Sequence, residues 1–175
     1  MNSALLQSFE KLEAQRTSLL SEIKQLSPDI LNRHPPGKWS ISRILAHLIT
    51  AEQLSINYVN KKMQGIKTVE NTGLWEEIKT LTLKVSQRLP LKFKAPRLVV
   101  ENTPAFESVE QIEIAWTKTR NELKELLSRI ADDQIWRKIY KHPVAGKLNI
   151  HQALRFFGEH IIHHQPQIKK LLKQS

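Results

Sequence analysis

Apolar residues recur at helical spacing along most of the chain, with polar and charged residues between them. The first such stretch, residues 3–26, predicts a helix with one apolar side: Leu5, Phe9, Leu12, Leu19, Ile23 and Leu26. Ser27 and Pro28 end this helix, because the residue before a proline disfavours the helical conformation. The proline-rich residues that follow predict a connection, with one short turn at residues 29–32.

A second helix is predicted for residues 41–63. Ser40 is a good N-cap for it, and Trp39 can pack on Ile44 as a hydrophobic staple. At 100° per residue, these side chains share its inward side: Ile44, His47, Ala51, Leu54 and Tyr58. One histidine is therefore placed where the core is expected.

Two further helical patterns follow, separated by an irregular stretch. Residues 74–89 have an apolar repeat that stops at Pro90: Leu74, Ile78, Leu81, Val85 and Leu89. The stretch from Pro90 to Pro104 is predicted to be irregular, with a short strand at residues 97–100 as an option. Ser108 and Gln111 then form a capping box for a helix that continues to about residue 130.

The last helix is predicted within residues 148–172, after a turn at KHPVAGKLN that contains Pro143 and Gly146. Asn149 and Gln152 can cap it. Its apolar side includes two histidines one turn apart: Ile150, Ala153, Leu154, Phe157, His160, Ile161, His164, Ile168 and Leu171. Four long amphipathic helices, an additional shorter helix and long connections predict an all-α four-helix bundle that forms a single domain over residues 1–175.

Composition limits the partners and the chemistry. The chain has 27 Lys and Arg against 17 Asp and Glu, a formal charge of +10, but the basic residues are scattered, so this pattern disfavours nucleic acid as a partner. The absence of cysteine excludes disulfides, thiolate metal sites and a cysteine nucleophile. Without a signal peptide or a long apolar run, we expect a cytoplasmic protein that does not enter the membrane.

The three inward histidines, His47, His160 and His164, are therefore candidate metal ligands. A pair at i, i+4 can hold one ion, and three imidazoles with an open fourth position are typical of a catalytic metal site. A single histidine on an apolar face is more often a core residue bonded to a carbonyl, and that alternative stays open for each of the three. We expect metal binding to weaken as the pH falls through about 6.5, since a ligand imidazole must be unprotonated.

Three motifs resemble a known family over essentially the whole chain. They are PGKWSISRILAHL at residues 36–48 followed by Glu52, HPVAGKL at residues 142–148, and HIIHHQPQI at residues 160–168. Together they resemble the DinB superfamily of metal-binding four-helix bundles, which includes the YfiT-like hydrolases.

The resemblance implies a divalent metal, commonly zinc or nickel, held by His47, His160 and His164. It also implies a homodimer, although no apolar stripe in the sequence is spare enough to locate the pairing surface. The chemistry it implies is that of a metal-dependent hydrolase or a thiol-dependent S-transferase acting on a small molecule, with water or a low-molecular-weight thiol activated at the metal. A non-catalytic metal-binding or stress-associated interaction module of the same fold is the alternative.

Two departures from the family pattern bear on the site. Many members have an Arg-Gly pair where this chain has Gln165 and Pro166, so an anion-binding arginine is missing. Pro166 cannot donate to the carbonyl of Ile162, which predicts a kink near His164.

For several other residues, the sequence favours a structural role over a functional one. Glu52 and Glu159 are expected to be solvated, with a role as base or hydrogen-bond acceptor as the alternative. His163 is expected at the surface or beside the metal ligands, and His151 faces the outer side. The four tryptophans are expected to pack in the core: Trp39, Trp75, Trp116 and Trp136.

Overall fold

Four long helices form the frame of the protein in the computed structural model, which describes residues 1–88 and 95–174. The helices, numbered along the chain, are α1 (Ser3–Ile23), α2 (Pro28–Asn32), α3 (Ile41–Met63), α4 (Leu74–Arg88), α5 (Arg97–Asn102), α6 (Val109–Ser128) and α7 (Ile150–Leu172). The bundle consists of α1, α3, α6 and α7, and the shorter α4 packs on the outside of α7. The predicted all-α fold with an additional shorter helix is confirmed.

The ends of the site-bearing helices are fixed by the predicted caps. The Ser40 hydroxyl accepts a hydrogen bond from the Arg43 amide at 3.1 Å, and α3 has the predicted bounds. At the start of α7, Asn149 Oδ1 accepts from the Gln152 amide at 2.8 Å, while Gln152 Oε1 accepts from the Asn149 amide at 3.1 Å. These caps satisfy amides that the first helical turn leaves unpaired, and they set where each histidine faces.

The option of a strand at residues 97–100 is wrong, because this segment belongs to α5. The Pro96 carbonyl accepts from the amides of Val99 at 2.9 Å and Val100 at 3.1 Å, which closes a helical turn. A strand would need a neighbouring strand to pair with, whereas a helical turn is satisfied by its own carbonyls. The predicted helix end at Leu89 and residues 90–94 lie outside the described residues.

A short hairpin flanks the turn that precedes α7. Strand β1 (Tyr140–His142) pairs antiparallel with β2 (Gly146–Leu148), and Gly146 has a φ of +78° that favours glycine. The sequence predicted the turn but not the strands, which are three residues each.

The buried apolar side chains form two clusters along the bundle. One surrounds the first half of α7 and includes Phe157, and the other lies between α3, α6 and the second half of α7 and includes Trp116. Gly158 allows α1 to approach α7, since a Cβ there would lie 3.0 Å from Gln15 Oε1. The helix α7 continues as one helix through Pro166, so the proline does not interrupt it.

Helix α4 is orientated with its apolar side outwards. Its apolar repeat is exposed, while Glu76, Thr80 and Gln87 on the opposite side are buried. Within the two described ranges, none of the helices combines the length and the apolar character that crossing a bilayer requires.

Candidate metal centre

The packing of α3 against α7 brings the three inward histidines together. His47 Nε2 lies 3.2 Å from His160 Nε2, and His164 Nε2 also lies 3.2 Å from His160 Nε2. One ligand nitrogen from each of the three histidines lies within 4.8 Å of the others, so the group could hold a metal ion.

The nitrogen separations agree with tetrahedral coordination. Imidazole nitrogens bind zinc at about 2.0–2.1 Å, which places two ligands of a tetrahedron about 3.3 Å apart. The two separations of 3.2 Å in the protein are close to this value. Two of the three nitrogen separations are therefore compatible with ligands of one ion.

An ordinary hydrogen bond accounts for one of the two short Nε2 separations, but not for both at once. Nε2 of a neutral imidazole carries either one proton or one lone pair, so it acts as a donor or as an acceptor. His160 Nε2 faces Nε2 of both His47 and His164, and the single proton or lone pair on it forms a linear hydrogen bond with only one of them. A cation placed between the rings accepts all three lone pairs at once.

The ring of His164 is held in a ligand-competent tautomer. Its Nδ1 lies 3.1 Å from the Gln167 amide oxygen, which only accepts, so Nδ1 carries the proton and Nε2 keeps its lone pair. His47 has no such support, because its buried Nδ1 has no hydrogen-bond partner among residues 1–88 and 95–174. The Trp39 ring, with its centroid 5.1 Å away, packs against it instead.

Burial keeps the three imidazoles neutral. It lowers the pKa of His47 to about 4, with the charge of Arg43 adding to the effect, and it lowers the pKa of His164 to about 3. The pKa of His160 lies well below its usual value because of burial and the two neighbouring histidines. Unprotonated imidazole is the form that binds a metal ion.

A fourth histidine, His142, is buried near the cluster and is separated from it by Phe156. The Phe156 ring stacks on His160 at 5.4 Å and meets the His142 ring edge-on at 4.4 Å. His142 Nδ1 accepts from the amides of Val144 at 3.1 Å and Ala145 at 3.0 Å, so its proton is on Nε2. Sequence reasoning gave His142 no role of its own, since the hairpin that holds it was not predicted.

His163 connects the site to α4. Its Nδ1 donates to the Gln87 carbonyl at 2.6 Å, and its ring lies 5.0 Å from that of His164. The side chain is half-buried beside a candidate ligand, which corresponds to the second of its two predicted places. His151 lies outside the cluster and is also half-buried.

The expectation that Glu52 and Glu159 are solvated is wrong, because each is buried against an arginine. Glu159 receives two hydrogen bonds from Arg88, at 2.8 and 2.9 Å. Glu52 accepts from Arg120 at 2.8 Å and from the Trp116 indole at 3.2 Å. A buried carboxylate requires such partners, and both arginines are too far away in sequence to be identified from the pattern.

The tryptophans divide between the core and the surface. Trp116 is fully buried and Trp39 is half-buried beside His47, as expected. The expectation is wrong for Trp75 and Trp136, whose exposed fractions are 62% and 48%.

One cation lies near the histidines. Arg43 is one turn before His47, and its guanidinium donates to the carbonyls of Thr103 at 2.9 Å and Val100 at 3.2 Å. These carbonyls are at the C-terminal end of α5, which therefore fixes the position of the positive charge near His47.

The family model of the DinB superfamily matches residues 11–168 of the chain. An uncharacterised protein of Bacillus subtilis strain 168, YuaE, is 26% identical over 157 residues, which cover 89% of this chain and 91% of YuaE. No solved structure matches the chain.

Proposed function

The chain belongs to the DinB superfamily, and from this membership and the histidine geometry we propose that it is a metal-dependent enzyme acting on a small molecule. His47, His160 and His164 are the proposed ligands of one divalent ion, zinc or nickel. The reaction is proposed to be hydrolysis or the transfer of a low-molecular-weight thiol.

The convergence of three neutral Nε2 atoms carries this proposal. Two of their separations are 3.2 Å, as expected for ligands around one ion, and the ions that bind imidazole well include zinc and nickel. Three protein ligands leave a fourth position for water or substrate, which distinguishes a catalytic site from a closed structural one.

A divalent metal held there would supply a Lewis acid that favours loss of the proton from water or from a thiol. The thiol must come from a cosubstrate, because the chain has no cysteine. Trp39 and Phe156 pack against the rings of His47 and His160 and give the site two apolar walls. Arg43 adds positive charge beside His47, which favours a substrate with an anionic group.

The direct test is the metal content of protein purified without an affinity tag. We expect one divalent ion per chain, and loss of most of it in each of His47→Ala, His160→Ala and His164→Ala, because two remaining imidazoles lose chelation and geometry. His151→Ala is the control and should keep its metal, while His163→Ala should lose much less than His164→Ala. Full metal content in both His160→Ala and His164→Ala would contradict the ligand assignment.

Activity requires a separate measurement. Loaded protein should turn over ester, amide or electrophilic substrates, and a panel of low-molecular-weight thiols should show whether turnover needs one. A protein that binds one ion per chain and turns over none of these substrates would support the non-catalytic metal-binding module instead.

A further inference from the structure

Helix α4 presents an apolar surface that is exposed in the part of the chain that the structure describes. We call Leu74, Trp75, Ile78, Leu81 and Val85 the α4 stripe. Their exposed fractions are 79%, 62%, 45%, 60% and 53%. Four of them lie within about 60° of one another on the helix, and Trp75 extends one edge. An amphipathic helix normally turns such a side to the core, so this surface calls for an explanation.

Polar contacts with the bundle fix α4 in this orientation. Near its start, Glu77 accepts from Gln152 at 2.7 Å and from Arg155 at 3.2 Å. Near its end, Arg88 binds Glu159 on α7. Both ends are thus held to α7 by the polar side, and rotating the stripe inwards would break these contacts and bury their charges.

We propose that the α4 stripe is the surface through which two copies of this chain pair, with the two α4 helices antiparallel about a twofold axis near residue 80. An isologous contact of this kind places the stripe of one copy on the same stripe of the other. Each copy then covers the apolar side chains that its own bundle leaves exposed.

The charges along one edge of the stripe favour the antiparallel arrangement. Glu77 lies on this edge in the first half of α4, and Lys84 and Arg88 lie on the same edge in the second half. A twofold axis across the helix brings Glu77 of one copy opposite the basic half of the other. A parallel arrangement would place like charges together, and it would align the helix dipoles unfavourably.

The exposed area is sufficient for a modest dimer. At roughly 100 Å² for each of the five side chains of the α4 stripe, one copy contributes about 500 Å² and two copies bury about 1,000 Å². This value is at the lower end of the range for specific interfaces.

A lipid surface fits the stripe less well than a second copy does. Helices that bind membranes usually have many lysines and arginines on the polar side, whereas the polar side of α4 is packed on α7.

The first experiment measures the mass of the full chain by sedimentation over a wide concentration range. We expect a dimer at high micromolar concentration, and we expect Leu81→Asp to weaken it by about tenfold or more because a charge is then buried at the contact. Ile114→Asp on α6 is the matched control, since Ile114 is 70% exposed and lies away from the stripe. Circular dichroism of both variants checks that they fold.

The second experiment tests the direction of the helices. The chain has no cysteine, so a single Ile78→Cys or Leu74→Cys can carry a spin label without further changes. In the antiparallel dimer, the labels are offset along the helix by about 6 Å at residue 78 and about 18 Å at residue 74. Equal distances at the two positions would overturn the antiparallel arrangement.

Three results would overturn the pairing surface itself. The first is a wild-type chain that remains monomeric at high micromolar concentration. The second is a Leu81→Asp variant that pairs as tightly as Ile114→Asp. The third is a monomer that binds vesicles of anionic phospholipid through Trp75, seen as a blue shift of its emission.

Discussion

At the scale of single residues, burial of the histidines makes the metal-free protein sensitive to acid. Burial lowers the pKa to about 4 for His47 and His142 and to about 3 for His164, while the unfolded chain keeps values near 6.5. Between these limits the unfolded state binds more protons, so the stability is complete above pH 6.5 and falls as the pH decreases towards 4. Each pKa unit by which a histidine is lower in the folded than in the unfolded protein corresponds to about 1.4 kcal/mol of stability.

Urea unfolding of chelator-treated protein between about pH 7 and pH 5 measures this loss. His142→Asn is a useful variant, because an amide oxygen can still accept from the Val144 and Ala145 amides but does not titrate. It should show a shallower decrease than the parent. Stability that stays constant over this range would contradict the prediction. The same burial bears on metal binding. Because the ligand histidines bind protons only at lower pH, we expect protons to displace the metal below the pH of about 6.5 that the sequence suggested.

Individual side chains also show which parts of the site were predictable. The i, i+4 spacing of His160 and His164 and the inward phase of His47 depend only on helical geometry, and the structure brings these residues together. The expectation failed for Glu52 and Glu159 because Arg120 and Arg88 lie 68 and 71 residues from them. Periodicity in one helix carries no information about such distant partners.

At the scale of helices, Pro166 leaves a missing hydrogen bond inside α7. The proline has no amide proton for the Ile162 carbonyl, although the helix continues on both sides. Pro166→Ala restores the donor, and we expect it to stabilise the protein by up to about 3 kcal/mol without changing its metal content.

Thermal unfolding of Pro166→Ala and of the control Lys169→Ala measures this effect. Lys169 is exposed on the same helix and already has an amide proton, so its replacement should change little. A Pro166→Ala variant that is less stable than the parent would show that the ring is needed for packing.

The capping residues made the starts of the long helices predictable from sequence. The conformation of the short elements could not be predicted in this way, because it depends on contacts with the rest of the protein. Ser40 and Asn149 mark the starts of α3 and α7 in sequence as in structure. Helix α5 gives no comparable signal, because Val99 and Val100 are β-branched and six residues carry too little periodicity to decide between helix and strand. The α4 repeat predicts a helix, but periodicity cannot tell whether a stripe meets the core or another surface.

At the scale of the whole molecule, a buried ion pair links three helices of the bundle. Glu52 of α3 and Arg120 of α6 have exposed side-chain fractions of 2% and 1%, and Arg120 Nε also lies 3.6 Å from Glu13 of α1. Burial raises the pKa of Glu52, and the Arg120 guanidinium opposes this effect. We expect Glu52→Gln or Arg120→Met to lower the free energy of unfolding by about 3–5 kcal/mol, because each leaves a buried partner uncompensated.

A double-mutant cycle tests this prediction by urea unfolding. The double variant should lose less than the sum of the two single variants, since both charges are removed together. Glu101→Gln, in the exposed pair with Arg97, is the control and should change stability by less than about 1 kcal/mol. Additive losses at Glu52 and Arg120 would show that the pair is not energetically coupled.

The placement of two tryptophans gives the protein its own optical reporters. Trp39 is next to His47, so its fluorescence should change when an ion enters, and an open-shell ion such as nickel should quench it. Trp75 lies on α4 in contact with solvent, and its emission should move to shorter wavelength when a second copy covers it. Titrations of metal and of protein concentration can therefore be followed without any added dye.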